Sequence, residues 1–293
     1  MSKASLFDIR ISPNPPVFDL PLLVAREFKL FEKHGINLSY AANYSDREQI
    51  ESQNHPQPLV RLKESLYESG KADAYNVCEW GGVDRIERGE VGRAKIAALR
   101  PAVAAQAILT FDPALQTPRD LAGVTIGIND FTGSHYTTLQ LLDGAIGREH
   151  VKTVHIGEPG TRYDQLKGGK IRVATLMEPF ISLALKEGAH IVALTFYRGA
   201  EVISPRFSDE QRSAYFAALN EAVDLINGDF GRYAHYITAI TKGRLEPSEL
   251  AKYFVHYTHV ETYAQDKFDS AYNWMIDRGF SQGRNTHATL IAN

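Results

Sequence analysis

The residue types most typical of a reactive site stand together at one point of the chain, where a thiol, a carboxylate and an indole follow one another as Cys78, Glu79 and Trp80. Cys78 is the single cysteine, which excludes an intrachain disulfide and, with scattered histidines, a cysteine-based zinc site. A cysteine near a base can act as a nucleophile, whereas a buried cysteine is a small hydrophobe. The tryptophan can stack on a planar ligand or simply pack. Both interpretations stay open.

A second group of polar residues stands where a helix is predicted to start, directly after a strand. The segment reads Gly133-Ser134-His135-Tyr136-Thr137. Unpaired N–H groups of a helix start, together with hydroxyl groups, bind carboxylate or sulfonate groups well. Ser134 could instead only cap the helix. We expect an anion site because His135 and Tyr136 add donors that capping does not require.

Polar and aromatic residues also follow other predicted strands, and side chains at such strand ends can reach a ligand. Arg198 can bind an anion in a bidentate manner, or it can pair with Glu178 or Glu201 or face solvent. These additional ligand-binding candidates are Asn14, Phe18, Glu178, Phe180, Tyr197 and Arg198.

Two further candidates for chemistry, His55 and Arg61, lie in and after a polar loop that ends near Gln57. A cysteine nucleophile needs a base beside it. Cys78 with either His55 or His135 would supply such a pair.

The elements that must position these residues follow from hydrophobic periodicity, which alternates between periods of 2 and 3.6 in the manner of an α/β protein. A strand over 7–12 is followed by a helix capped by Asp19 and running to about Lys33. A second α/β unit begins with a capping Thr117. After a capping box at Ser208, only helices are predicted, near 208–227, 231–241, 247–256 and 265–278.

The chain has 293 residues, which favours two domains. Apolar residues make up 44% and charged residues 23%, which argues against a disordered, collagen-like or coiled-coil chain. A net charge of −3 argues against non-specific nucleic-acid binding.

The charged residues Asp8 and Arg10 interrupt the apolar residues of the N-terminus, so no signal peptide is expected. No apolar run is long enough to span a membrane. We therefore expect a cytoplasmic protein as given, or a periplasmic one if a leader was removed.

Five sequence segments and their order along the chain resemble proteins of the type II periplasmic-binding-protein fold. The resemblance is to the branch of the nitrate-, taurine- and alkanesulfonate-binding proteins and the thiamine-pyrimidine-synthase-like enzymes. The segments span 31–38, 70–74, 117–127, 166–174 and 268–279. The resemblance implies an α/β fold of two lobes with a helical C-terminal cover. Lobe one would comprise 1–105 plus 199–293, and lobe two 106–198.

The resemblance also implies a function. The first interpretation is a solute-binding protein that closes two lobes on a small organic anion, such as an aromatic carboxylate or a sulfonate, for ABC-type uptake. Its partners would be the small-molecule ligand and, if the protein is exported, an ABC permease; no metal, cofactor or nucleic acid is expected. The alternative is a cytosolic decarboxylase, desulfinase or other lyase that uses Cys78, Glu79 and His135.

Two departures bear on that alternative. In the related sulfinate desulfinase the reactive cysteine follows the first strand, where this chain has residues 12–16 without a cysteine. The cysteine-rich motif of the thiamine-pyrimidine synthases is absent as well. The resemblance therefore does not assign either the desulfinase activity or the thiamine-pyrimidine-synthase activity directly to this chain.

Overall fold

A computed structural model describes residues 6–43, 62–87 and 94–292. His55 and Arg61, two of the residues singled out for chemistry, lie outside the described residues. Two compact units divide the chain. The first unit comprises Met1–Ala102, Arg198–Phe230 and Tyr257–Asn293, and the second comprises Val103–Tyr197 and Gly231–His256.

The first unit contains a sheet in the order β2-β1-β3-β8. Its three parallel strands are β1 (Phe7–Ile11), β2 (Ile36–Tyr40) and β3 (Ala74–Cys78). Residues 199–203 of β8 (His190–Ile203) pair with β3 in the antiparallel direction. The predicted first strand over 7–12 is thus confirmed, and it ends one residue earlier than predicted, at Ile11.

The predicted helix over 19–33 is wrong in detail, because two helices occupy this stretch. Helix α1 runs over Pro16–Glu27 and α2 over Leu30–Lys33. Lys29 between them adopts the left-handed conformation, with φ at 54°, and this interrupts the helical path. Asp19 lies inside the first turn of α1 rather than capping it from outside.

Within the described residues, five further helices belong wholly to the first unit. The longest begins at the predicted capping box, in which Ser208 Oγ accepts the Gln211 N–H, so that prediction is confirmed. This helix packs against α1 and α2, and the Tyr215 ring stacks on Phe31 at 5.7 Å. In chain order the helices are α3 (Leu62–Glu68), α4 (Glu79–Glu87), α8 (Asp209–Gly228), α10 (Gln265–Asp277) and α11 (His287–Leu290).

The strands of the second unit are ordered β4-β7-β5-β6, and β4 enters this unit at Val103. Its strands are β4 (Lys95–Thr110), β5 (Thr125–Ile128), β6 (Lys152–His155) and β7 (Val173–Leu176). Strands β5, β6 and β7 are parallel, and β4 runs antiparallel to β7.

Three helices alternate with these parallel strands, as the α/β pattern predicts. They are α5 (Gly133–Leu142), α6 (Pro159–Lys167) and α7 (Phe180–Lys186). Ile108, Ile126 and Val173 of the sheet and Leu142 of α5 form one buried apolar core. This core fixes α5 against one face of the sheet.

The segment 231–256 differs from expectation in structure and in placement. Helix α9 (Phe230–Thr238) is present, but the predicted helix over 247–256 is wrong: short 3-10 turns at Pro247–Glu249 and Lys252–Phe254 lead into β9 (Val255–Tyr257).

The expected lobe boundaries also placed this segment in lobe one, whereas its contacts lie in the second unit. The Lys186 ammonium binds the Glu249 carboxylate at 2.7 Å. The Arg244 guanidinium binds Asp164 at the same distance. These ion pairs join the segment to α6 and α7, and no local sequence pattern encodes them. Among the described residues, no helix combines the length and apolar character that a membrane crossing needs.

Candidate functional site

One edge of the second unit's sheet gathers the features of a binding site. Strands β5, β6 and β7 all end there, and α5, α6 and α7 start there. In open α/β sheets, ligands bind beyond the carboxyl ends of parallel strands. We call this region the carboxyl edge of the second unit.

The start of α5 is the most polar part of the carboxyl edge. Thr132 Oγ1 donates to the Asn129 carbonyl at 2.6 Å, and Ser134 Oγ accepts the Asn129 N–H at 3.0 Å. The two hydroxyl oxygens are 3.0 Å apart. The first-turn N–H groups of a helix have no acceptor within it, and no acidic residue stands in the first turn of α5. The positive end of the helix dipole is therefore not neutralised from within the helix.

Tyr197 adds a third hydroxyl to this helix start. A Cβ atom at Gly133 would lie 2.7 Å from the Tyr197 hydroxyl oxygen. Only glycine therefore allows this approach without displacing the tyrosine. The structure thus brings together three of the predicted ligand-binding residues: Gly133, Ser134 and Tyr197.

Two imidazoles border the loop before α5. His135 Nδ1 accepts the Phe131 N–H and His155 Nδ1 accepts the Asp130 N–H, both at 3.1 Å. A ring nitrogen that accepts an N–H carries no proton, so each neutral imidazole keeps its proton on Nε2. The Asp130 carboxylate lies farther from Nδ1, at 4.0 Å for His135 and 3.5 Å for His155. His135 is therefore oriented as an Nε2–H donor.

Two other predicted residues on α5 lie inside the protein. Tyr136 and Thr137 are fully buried. The Thr137 hydroxyl donates to the Gly133 carbonyl at 2.5 Å, which uses its one proton. The Tyr136 ring stacks on that of His135 at 5.8 Å. These contacts hold the helix start and orient the histidine.

Glu178 and Phe180, predicted after the strand that is now β7, also make structural contacts. Glu178 Oε1 accepts the Ser182 hydroxyl at 2.5 Å and Oε2 accepts the Ser182 N–H at 3.1 Å. The same hydroxyl accepts the Ala251 N–H at 3.0 Å. Burial raises the pKa of Glu178 to about 7, while the bonds from Ser182 oppose the rise. The Phe180 ring packs against Tyr163 at 5.7 Å.

In the first unit, Asn14 belongs to a buried hydrogen-bond network. Its side-chain amide donates to the Asn76 carbonyl at 3.2 Å, and its backbone N–H donates to Asp19 Oδ2 at 2.8 Å. The Asn76 amide donates to Asp19 Oδ1 at 2.7 Å. The ring of Phe18 lies 3.7 Å from the guanidinium carbon of Arg100. Both predicted residues thus have partners inside this unit.

Glu201 is a buried acid of the same network that the sequence did not single out as a site residue. Register places it opposite Asn76 across the β3–β8 pair, and it is 2% exposed. Burial, followed by the charge of Asp19, raises the pKa of Glu201 to about 8, and Arg100 opposes that rise.

The stretch Cys78-Glu79-Trp80 is buried at the β3–α4 junction of the first unit. Cys78 Sγ accepts the Gly81 N–H at 3.3 Å, which caps α4. Glu79 Oε2 accepts the Tyr263 hydroxyl at 3.0 Å, and burial raises the pKa of Glu79. The Trp80 ring lies 6.3 Å from that of Trp274. These contacts match the packing interpretation of the three residues.

Arg198 forms an ion pair that none of the alternatives predicted from the sequence. Its carboxylate partner is Glu261, not Glu178 or Glu201. The guanidinium also donates to the carbonyl of Arg100 at 2.8 Å and to that of His259. The sequence could not reveal Glu261 as the partner, because 62 positions of intervening chain carry no signal of the contact.

Two buried polar residues at the carboxyl edge were missed. Arg162 Nε donates to the Thr175 carbonyl at 2.9 Å. Gln106 of β4 is 1% exposed. A signal for Gln106 existed, since it is the one polar residue in the apolar run from Ala102 to Leu109. Across the described ranges, no group of three metal-ligating side chains comes together.

No protein-family model matches the chain, and no curated protein matches it. Solved structures, in contrast, are similar to the chain. The alkanesulfonate-binding protein SsuA from Xanthomonas axonopodis pv. citri bound to MOPS is similar with a TM-score of 0.75 and 14% identity, over 99% of both chains. The ligand-binding component of an ABC-type import system from Staphylococcus aureus with zinc bound gives 0.73 and 14%, over 98% of this chain and 96% of that one.

The desulfurization enzyme DSZB is also similar, with a TM-score of 0.62 and 14% identity, over 94% of this chain and 93% of that one. A transport component and an enzyme thus share the architecture, so fold alone does not choose between them. The chain has the two-lobed α/β fold of the type II periplasmic binding proteins.

Proposed function

We propose that this protein is a solute-binding protein that binds a small organic anion for uptake by an ABC-type permease. The proposal rests on the fold shared with binding components of import systems and on the start of α5. The alkanesulfonate-binding neighbour suggests a sulfonate as the head group, and a carboxylate presents oxygens that the same donors can bind. An aromatic ligand is not favoured, because Trp80 is 3% exposed and packs near Trp274.

The single observation that carries the proposal is the polar helix start at Gly133. First-turn N–H groups, the hydroxyls of Ser134 and Tyr197, and an Nε2–H of His135 are all hydrogen-bond donors, whereas the Thr132 hydroxyl gives its proton to the Asn129 carbonyl. Such a set matches the oxygens of a sulfonate or carboxylate, and the helix dipole favours negative charge there. The Asp130 carboxylate stands on the Nδ1 side of the two imidazoles, and its nearest distance to His135 Nδ1 is 4.0 Å.

The enzyme alternative has no specific observation in its favour. Cys78 caps a helix and Glu79 binds Tyr263, both in the first unit. His135 belongs to the second unit and accepts a backbone N–H through Nδ1. The assignment of Cys78, Glu79 and His135 to catalysis therefore stays a prediction.

Isothermal titration calorimetry tests the proposal on the full chain. The probes are propane-1-sulfonate, 2-hydroxyethanesulfonate, butanoate, 3-hydroxypropanoate and benzoate, with glucose as a neutral control. We expect at least one organic anion to bind with a micromolar Kd and glucose not to bind. Ser134→Ala should weaken the binding of that anion about tenfold, the usual cost of one charge-assisted hydrogen bond.

The matched control is Ser208→Ala, which also removes a serine from a helix start but in the first unit. It should lower stability without changing Kd. If none of the anions binds, or if Ser134→Ala binds as tightly as the wild type, the proposed site is wrong.

A further inference from the structure

We propose that Gln106 is a specificity-determining residue of this site, and that the bound anion carries a hydroxyl or amino group next to its charged head. This inference rests on the proposed function and narrows its ligand class. It concerns the second unit alone.

The register of β4 and β7 places Gln106 on the side of the sheet that α5 covers. Ile108 stands opposite Thr175, and partners in an antiparallel pair share a face. The hydroxyls of Thr175 and Thr138 of α5 are 2.5 Å apart, so this face meets α5. Side chains two positions apart on a strand point to the same face. The Gln106 side chain therefore lies on the α5 side of β4.

The same register of β4 and β7 fixes the position of Gln106 along the axis of α5. From Ile108 to Gln106, β4 advances by roughly 7 Å toward the carboxyl edge. From Thr138 back to Ser134, α5 advances by roughly 6 Å in the same direction. Since Thr138 is level with Thr175, Gln106 is level with the first turn of α5.

The amide oxygen of Gln106 is buried and unsatisfied. The side chain is 1% exposed, and its Oε1 has no hydrogen-bond partner anywhere in the described ranges. A buried polar group without a partner is costly, and nearly all such groups in proteins are paired. An amide offers one acceptor oxygen and two donor hydrogens. A hydroxyl or amino group on the ligand complements it, whereas a methyl group would leave it unpaired.

Calorimetry with isosteric ligand pairs tests the inference. Propane-1-sulfonate and 2-hydroxyethanesulfonate differ by a methyl against a hydroxyl, as do butanoate and 3-hydroxypropanoate. We expect the wild type to bind the hydroxyl member of the pair about tenfold more tightly, because the apolar member leaves the amide unpaired.

Gln106→Met keeps the length of the side chain and removes its polar atoms. It should abolish or reverse the preference for the hydroxyl ligand while anion binding persists. The matched control, Gln116→Met, changes an exposed glutamine that precedes β5, and it should keep the preference. If Gln106→Met fails to fold, Gln106→Leu and Gln106→Glu replace it. The first should lose the preference, and the second should weaken binding of both anions by charge repulsion.

The outcomes separate the two proposals. If the wild type binds both members of a pair equally, or if the Gln106 variants keep the preference for the hydroxyl, the role of Gln106 is wrong while anion binding stands. If benzoate binds and the four aliphatic anions do not, the inference fails while anion binding stands. If none of the five anions binds, the proposed function fails and the inference fails with it.

Discussion

Glu201 should make the first unit less stable as the pH rises. Its carboxyl group is 2% exposed, and its pKa rises from 4.5 to about 8 because of burial and the nearby charge of Asp19. Between these two values the folded chain holds a proton that the unfolded chain releases. The free energy of unfolding therefore falls as pH rises, by about 1.4 kcal/mol for each pH unit.

The perturbation is Glu201→Gln, which keeps the shape of the side chain and stays neutral at every pH. From pH 5 to pH 7 the wild type should lose roughly 3 kcal/mol through this group, and the variant should not. At pH 8 the variant should therefore be the more stable protein. The new amide would stand opposite Asn76 and near Arg100, as the Glu201 carboxyl group does in the wild type.

The assay is urea denaturation at pH 5, 6, 7 and 8, followed by tryptophan fluorescence. The chain has 2 tryptophans, Trp80 and Trp274, and both lie in the first unit, so the signal reports the unit that contains Glu201. Glu149→Gln is the control, because that side chain is 72% exposed. If the wild type and Glu201→Gln lose stability equally between pH 5 and pH 7, Glu201 does not hold a proton in the folded state.

Two further predictions concern a second buried acid and the cysteine. Glu178→Gln should flatten the pH dependence of thermal unfolding between pH 4.5 and about 7, where the raised pKa of Glu178 removes stability as pH rises; an unchanged slope would contradict this. Cys78→Ala should lower stability by roughly 1 kcal/mol through loss of the cap on α4, and calorimetry should find the same anion affinity as in the wild type. A loss of anion binding by the folded Cys78→Ala variant would instead revive a functional role for the thiol.

The parts of the fold that local patterns encode were predictable. The strand Phe7–Ile11 alternates apolar and polar residues, and the capping box at Ser208 pairs a hydroxyl with a glutamine three residues later. Both signals lie within a few residues of the element that they specify. The break at Lys29 was missed, because a lysine in the left-handed conformation carries no signal of its own.

The candidate site was predictable only in outline. A glycine and a serine at a helix start after a strand pointed to the first turn of α5, and Tyr197 reached the same place. The contacts of Arg198 and Asn14 depend on residues far away in the chain, Glu261 and Asn76. Such long-range partners follow from the packing of strands and helices, which one sequence without relatives does not reveal.

The return of 231–256 to the second unit has a consequence for dissecting the protein. A fragment ending at Tyr197 would lack the residues that bind Lys186 and Asp164, and the Ser182 hydroxyl would lose the Ala251 N–H. A fragment meant to isolate this unit must therefore extend to His256 and carry α8 with it. During synthesis, the long helix of the first unit leaves the ribosome before the second unit can complete its own contacts, so the two units cannot mature strictly one after the other.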